Sequence, residues 1–129
     1  MNKTALELSP QEWQRYHPAE VIEQRKRQDA AHMQQRKQRA WQLARQAAQM
    51  LRHDFGAQKV AVVGSLAHDA WFTPWSDIDL AAWGIPSDRF YAAAGTVAEL
   101  STEFKIDLID PETARPMLRT IIEHEGHEL

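Results

Sequence analysis

Residues 60–80 read VAVVGSLAHDAWFTPWSDIDL, and this stretch decides the fold. The short apolar run Val60–Val63 predicts a buried strand that stops at Gly64 and Ser65. A second strand is predicted from Asp77 to Trp83, where acidic and apolar side chains alternate before an apolar end. A strand, a glycine turn and a second strand indicate the start of an α/β domain.

Two carboxylates in this stretch predict a metal site. Asp77 and Asp79 are two residues apart on the predicted strand, so their side chains point to the same face. Neighbouring carboxylates repel each other unless a cation lies between them. Oxygen ligands of this kind suit Mg2+, which usually bridges to the phosphates of a substrate.

A third carboxylate belongs to the same predicted site. Residues 104–109 read FKIDLI and predict another strand, in which Asp107 points away from the apolar face. If the two strands are neighbours, Asp107 converges with Asp77 and Asp79 on one surface. Three carboxylates gathered in this way are typical of metal-assisted phosphoryl or nucleotidyl transfer.

The turn before the carboxylate pair suits a phosphate group. Gly64 allows close approach of the backbone. Ser65 can cap a short helix predicted from Ser65 to Trp71, whose free N–H groups favour an anion.

The combined pattern resembles the nucleotidyltransferases of the DNA polymerase beta superfamily. The resemblance runs from about Val60 to the C-terminus and rests on three matches: Gly64-Ser65, Asp77-Ile78-Asp79-Leu80 and Asp107. The short chain is similar to the minimal nucleotidyltransferases (MNT), many of which are antitoxins paired with HEPN-domain toxins. The resemblance implies a core with a small mixed sheet, ATP as substrate, and transfer of AMP to a hydroxyl of a partner protein, here a HEPN-type toxin.

The resemblance also implies a role for each site residue. Asp77, Asp79 and Asp107 would hold Mg2+ or Mn2+, and Gly64 and Ser65 would hold the triphosphate. Family members often carry a basic residue near the position of His68, which is therefore either a triphosphate contact or a surface histidine. Asp69 stands where the family often has glycine and adds negative charge beside the phosphates.

Composition excludes several other classes of protein. The chain has 129 residues, enough for one core, and no cysteine, so neither disulfides nor a cysteine zinc site can form. No apolar run approaches the length that spans a membrane, and no signal peptide is evident. These features predict a soluble, cytoplasmic protein.

The two halves of the chain differ in charge and role. Residues 1–59 hold 11 Lys/Arg and 6 Asp/Glu, a net charge of +5, whereas residues 60–129 hold 4 and 12, a net charge of −8. We expect a helical arm over residues 1–55, whose second half packs on the sheet, and an MNT core over residues 56–129.

The helical arm leaves three interpretations open. From Ala40 onward it carries an apolar stripe, whereas Glu23–Arg39 is nearly all polar. The polar part is a solvated extension, an arm that binds a toxin or a second copy of the chain, or a nucleic-acid contact, which its interspersed acids disfavour. The partner interpretation uses these residues as anchors: Trp13, Tyr16, Val21 and Ile22.

The whole sheet is predicted to have about three strands, and two further helices are expected after the second strand. The last helix should start at Asp110-Pro111 and end at Gly126, followed by a solvated tail. Its predicted inward-facing residues are Ala114, Met117, Leu118, Ile121 and Ile122.

Two other functions compete with protein modification. A small-molecule nucleotidyltransferase of the aminoglycoside type would use the same three carboxylates, but it normally has a further helical domain for its acceptor. A non-catalytic antitoxin would neutralise its partner by contact alone.

Overall fold

Helices and strands alternate along the chain. The computed structural model describes residues 19–68 and 71–129. The elements in chain order are α1 (Ala19–Phe55), β1 (Lys59–Val63), β2 (Ile78–Trp83), α2 (Phe90–Ala98), β3 (Ile106–Ile109), α3 (Pro116–Glu125) and β4 (His127–Glu128). Of the helices in these two ranges, none has the length and apolar character needed to cross a membrane. The predicted α/β class is confirmed.

The chain divides into two units, residues 1–35 and residues 36–129. In the first unit, residues 19–35 are helical, and nearly every side chain is exposed. Because this stretch has no glycine or proline and few apolar residues, helix propensity and solvent contact dominate it.

Two of the four predicted anchors of the arm lie within the described residues. Val21 and Ile22 lie in α1 and are exposed. Trp13 and Tyr16 lie outside the described residues.

The second unit contains a mixed four-stranded sheet in the order β3-β2-β1-β4. β1 pairs with β2 and with β4 in antiparallel fashion, whereas β2 and β3 are parallel. Parallel neighbours need a crossover connection, and α2 provides it between β2 and β3. The predicted mixed sheet is confirmed, with β4 as a fourth strand where a solvated tail was expected. A two-residue strand pairs through its backbone and leaves no apolar pattern in the sequence.

The core lies on both faces of this sheet. On one face, Ile122 of α3 packs with Val63 and Ala81 of the two central strands. The opposite face is formed by strand residues that are fully buried, and α1 and α2 supply further buried apolar side chains. The buried side chains of α1 are Ala40, Ala44, Ala47, Ala48, Leu51 and Phe55.

Polar contacts tie α1 to the sheet's connections. The guanidinium of Arg39 binds Glu103 at 2.7 Å, in the segment that leads into β3. The guanidinium of Arg36 lies 4.2 Å from the ring centre of Phe104 in the same segment. Near the other end of α1, Arg52 donates a hydrogen bond to the carbonyl of Leu129. These contacts hold the part of α1 from Arg36 onward beside both edges of the sheet.

Two helices differ from the sequence-based expectation. Where a helix from Ser65 to Trp71 was expected, Gly64–Leu66 forms a 3-10 helix, and residues 69 and 70 of the expected helix lie outside the described residues. The last helix begins at Pro116, later than predicted, because Asp110 Oδ1 accepts a hydrogen bond from the Glu112 amide at 3.0 Å and starts a turn. A proline was predicted in the first turn of this helix, and a proline does occupy it. That residue is Pro116 and not Pro111.

The predicted inward face of α3 is wrong. Only Ile122 of this helix is buried, and Met117, Leu118 and Ile121 are exposed. The helical spacing was recognised correctly, but Ile122 is the one residue of α3 that is buried in the core. The remaining apolar residues of the helix are therefore exposed on its surface.

If the second half of α1 is part of the core, a cavity there must destabilise the whole second unit. Leu51 is fully buried, and we expect Leu51→Ala to lower the free energy of unfolding by about 2–5 kcal/mol through lost burial and cavity formation. Gln49→Ala, at an exposed position of the same helix, is the matched control. Chemical denaturation measures both, and equal stability of the two variants would contradict the assignment.

Candidate active site

The turn after β1 brings the backbone at Gly64 close to the carboxylate of Asp79. Gly64 has a φ of +71°, a conformation that side chains disfavour. A Cβ atom added to Gly64 would lie 2.6 Å from Asp79 Oδ2, which is closer than atoms can approach. The turn is closed by the Ala67 amide, which donates to the Gly64 carbonyl at 3.2 Å. The positive φ thus favours glycine here, and any larger residue would force the Asp79 carboxylate to shift.

The sheet register places two of the predicted carboxylates on neighbouring strands. Asp79 of β2 is the direct partner of Asp107 of β3 in the parallel ladder. Asp79 is also opposite Val63, the last residue of β1 before the glycine turn. Residues that face each other across strands lie on the same side of a sheet, so these side chains share one face.

Asp77 lies just before the start of β2. The amide of the next residue, Ile78, donates to the carbonyl of Lys105 at 2.9 Å, which fixes this end of β2 against the entry to β3. Asp77 is close enough for its charge to act on Asp79. The structure therefore brings together Asp77, Asp79 and the glycine turn, with Asp107 on the adjacent strand.

The charged neighbours of Asp79 shift its pKa in opposite directions. Burial raises the pKa of Asp79 above its ordinary value, and the negative charges of Asp107 and Asp77 raise it further. Lys105 acts in the opposite direction and lowers the pKa of Asp79. The Lys105 ammonium also lies 3.7 Å from Asp107 Oδ1, but it is largely exposed, so solvent weakens its effect. The site has more negative charge than its own cation balances.

The donor set fits a hard divalent cation. Among residues 19–68 and 71–129, no three His, Cys, Asp or Glu side chains form a ready metal-binding group. Mg2+ does not need such a group, because it is commonly held by one or two carboxylates together with substrate phosphates and water. Oxygen-only ligands with unbalanced negative charge, beside a turn that the backbone can approach closely, have the chemistry that Mg2+ or Mn2+ requires.

His68 is engaged by α3. Its Nε2 atom lies 3.1 Å from Glu125 Oε2, and its ring lies 4.5 Å from that of Trp71, centre to centre. His68 was predicted to be either a triphosphate contact or a surface histidine, and no part in the site was predicted for Glu125. The contact joins residues that are 57 positions apart and has no local signal in the sequence.

Three tryptophans, Trp71, Trp75 and Trp83, lie close together in the sequence, and the structure places them in two environments. Trp71 and Trp75 are exposed in the segment between the turn and β2. The turn that presents Trp75 is held by Thr73 and Ser76, whose hydroxyl accepts from the Thr73 amide at 2.8 Å. Trp83, in contrast, packs beside the sheet core with the Lys59 ammonium 4.7 Å from its ring centre.

The last residues include His124 and His127 together with Glu123, Glu125 and Glu128. Within residues 123–128, which the structure describes, these side chains form no metal-binding group. His127 contacts the ring of Trp41 edge-on at 5.1 Å between ring centres, and Glu125 is paired with His68.

The sheet and its carboxylate edge define a fold known from toxin–antitoxin proteins. No family model matches the sequence, and no curated protein matches it. One solved structure, of the toxin–antitoxin pair MntA–HpeT with two aspartates replaced by glutamate, matches with a TM-score of 0.53 and 18% identity over 66% of this chain and 70% of that chain. Another, of a toxin–antitoxin with AMP-PNP, matches with a TM-score of 0.51 and 20% identity over 64% of this chain and 69% of that chain. The chain shares the fold of these proteins, as the sequence analysis predicted.

The charge balance at the site can be measured directly. In the metal-free protein, Asp107→Asn should lower the pKa of Asp79 by removing a negative neighbour, and Lys105→Met should raise it by removing the opposing cation. Carboxyl-carbon NMR titration reads both shifts, with Asp88→Asn as a control on the connection before α2. Shifts of the same sign in both site variants would contradict the geometry described here.

The raised pKa of Asp79 predicts how the stability of the metal-free protein depends on pH. Because the folded protein raises the pKa of Asp79, it keeps a proton that the unfolded chain loses in the window above 3.8. Metal-free wild-type protein should therefore lose stability as the pH rises through that window, and Asp79→Asn should remove this contribution. Denaturation of both proteins at several pH values, with a chelator present, is the measurement.

Proposed function

We propose that this chain is a Mg2+-dependent nucleotidyltransferase that moves AMP from ATP to a hydroxyl of a partner protein, a toxin of the HEPN type. The observation that carries the proposal is the placement of Asp79 beside Asp107 and against Gly64, with Asp77 next to it. The shared fold supports it, since both matching structures are of toxin–antitoxin proteins.

Two details of the matching structures add support. One contains an ATP analogue, AMP-PNP. The other carries two aspartate-to-glutamate substitutions two positions apart, which is the spacing of Asp77 and Asp79 in this chain. A carboxylate pair with that spacing is what a strand presents on one face.

Each site residue has a role in the proposed reaction. Asp77 and Asp79, with Asp107, would hold the divalent ion, and the open backbone at Gly64 and Ser65 would receive the triphosphate. The ion, when bound, neutralises charge on the phosphates and polarises the α-phosphorus. The acceptor oxygen bonds to that phosphorus, the bond to the β-phosphate oxygen breaks, and pyrophosphate leaves.

Asp107 has a second role in this scheme. It lies on the strand next to Asp79 and is half-buried, so it can take the proton that the acceptor hydroxyl loses. Lys105, 3.7 Å from Asp107, supplies a positive charge at the same edge. Proton transfer to a positioned carboxylate needs no group from outside the chain.

Removal of the carboxylate pair is the first test. The double variant Asp77→Asn/Asp79→Asn should lose Mg2+–nucleotide binding and AMP transfer while it keeps its fold, because only charge is removed. Calorimetry measures nucleotide affinity, and intact-mass spectrometry of the co-expressed HEPN-fold protein measures transfer. Asp88→Asn, also acidic but placed before α2, is the matched control.

The outcomes separate the competing functions. Unchanged Mg2+–nucleotide affinity in the double variant would refute the metal site. If the partner is never modified, yet wild type and Asp79→Ala inhibit it equally, the chain neutralises its partner by contact alone. Modification of an aminoglycoside-type compound by wild type, without modification of the protein, would favour the small-molecule enzyme.

The helical arm has its own proposed role. Val21 and Ile22 are exposed on α1, and we place a second copy of the chain or the toxin against this part of the helix. The nucleotide site, which lies wholly within residues 36–129, does not depend on this contact.

A further inference from the structure

Lys105 brings a positive charge into the group of three carboxylates. Its ammonium lies 3.7 Å from Asp107 Oδ1. The same charge reaches Asp79 and lowers the pKa of that carboxyl, against the effect of the two neighbouring carboxylates. The reaction proposed above gives Lys105 no contact with a substrate atom, although the side chain lies among the groups that would hold the substrate.

The strand register places Lys105 on the face that carries the carboxylates. Ile106, the next residue, is buried, so Lys105 and Asp107 point to the opposite face of the strand. The parallel pairing of β2 with β3 begins at Ile78 and Ile106, and the Ile78 amide donates to the Lys105 carbonyl at 2.9 Å. One step before that first pair, Lys105 therefore lies beside Asp77.

The contact with Asp107 does not use the hydrogen-bond donors of Lys105. The 3.7 Å between Nζ and the carboxylate oxygen is longer than a hydrogen bond, so charge alone draws the two groups together. The lysine side chain is 70% exposed and flexible, and its N–H groups donate in several directions. Such an ammonium is able to turn from a carboxylate to an anion that offers hydrogen bonds.

Lys105 and the glycine turn lie on opposite sides of the carboxylate pair. β2 lies between β1 and β3 in the sheet, and the end of β1 meets the starts of β2 and β3 at one edge. Neighbouring strands are about 4.8 Å apart, which leaves roughly 10 Å between the backbones at Gly64 and Lys105. A triphosphate that begins at the turn and an extended lysine side chain together cross that distance.

We infer that Lys105 binds a phosphate oxygen of the nucleotide, and that its ammonium moves away from Asp107 to do so. This inference rests on the proposed function, because it adds a substrate contact to the same site. Asp107 is the carboxylate proposed to take the proton of the acceptor. The phosphate that Lys105 meets is therefore the one at the reacting end of the triphosphate.

Two opposite effects on ligand binding follow from this role. Without a nucleotide, the charge of Lys105 lies beside the carboxylates and opposes a divalent cation there. With a nucleotide, the same charge attracts the phosphates and is withdrawn from the carboxylates. Removal of the charge should therefore weaken one ligand and strengthen the other, whereas loss of a purely structural side chain would weaken both.

The experiment compares three variants of the full chain. Lys105→Met removes the charge and keeps an unbranched side chain, and Lys105→Arg keeps the charge. Lys26→Met makes the same change in net charge at an exposed position of α1 and is the matched control. Calorimetry at low salt measures the affinity for a non-hydrolysable ATP analogue without metal. Electron paramagnetic resonance measures the affinity for Mn2+ without nucleotide, and circular dichroism verifies folding.

Lys105→Met should bind the analogue about tenfold more weakly, because a hydrogen bond to a charged group is lost. The same variant should bind Mn2+ about threefold more tightly, a small gain because the lysine is exposed to solvent. Lys105→Arg should keep the wild-type affinity for Mn2+ and most of the affinity for the analogue. Lys26→Met should match wild type for both ligands.

Other results overturn the inference or separate it from the proposed function. Unchanged affinity of folded Lys105→Met for either ligand overturns it, and so does a fall in both affinities. In those cases the proposed function survives if Asp77→Asn/Asp79→Asn still abolishes Mg2+–nucleotide binding. If wild type binds the analogue through Lys105 but never modifies a partner protein, the phosphate contact stands and the proposed catalysis fails. Failure of wild type to bind the analogue, with or without Mg2+, would overturn both.

Discussion

The close approach of the Gly64 backbone to the Asp79 carboxylate governs the rest of the site. A single Cβ atom at this position would collide with Asp79 Oδ2 at 2.6 Å. The antiparallel pairing of β1 and β2 creates this approach, because Val63 and Asp79 face each other at the end of the ladder. The turn can therefore meet a phosphate and the carboxylate can meet a cation at the same place, without side chains between them.

Electrostatics then explains why such a site needs a ligand. Asp79 is partly buried beside two other carboxylates, and its raised pKa records the cost of that charge. Lys105 offsets part of the cost from an exposed position. A divalent ion would balance what remains, so ion binding and the ionised state of Asp79 favour each other.

Strand geometry made the placement of the three carboxylates predictable from sequence. Alternation alone placed Asp77 and Asp79 on one face, and the apolar pattern around Asp107 placed it on the matching face of another strand. The direct pairing of Asp79 with Asp107 follows from the register of parallel β2 and β3.

Contacts that depend on tertiary placement were not predictable. β4 pairs through backbone atoms and has no side-chain pattern, and the Glu125–His68 contact joins distant elements. The apolar spacing of α3 predicted a helix but not its exposure, because periodicity cannot tell a face that meets the sheet from a face that stays exposed.

The location of a bound divalent ion tests the account most directly. Mn2+ can replace Mg2+ at oxygen sites, and its unpaired electrons broaden NMR signals of nearby nuclei. With Mn2+ and a non-hydrolysable ATP analogue, the account predicts the earliest broadening at Gly64, Asp79 and Asp107. Broadening that begins at the acidic end of α3, around Glu123 and His124, with the strand signals unaffected, would contradict it.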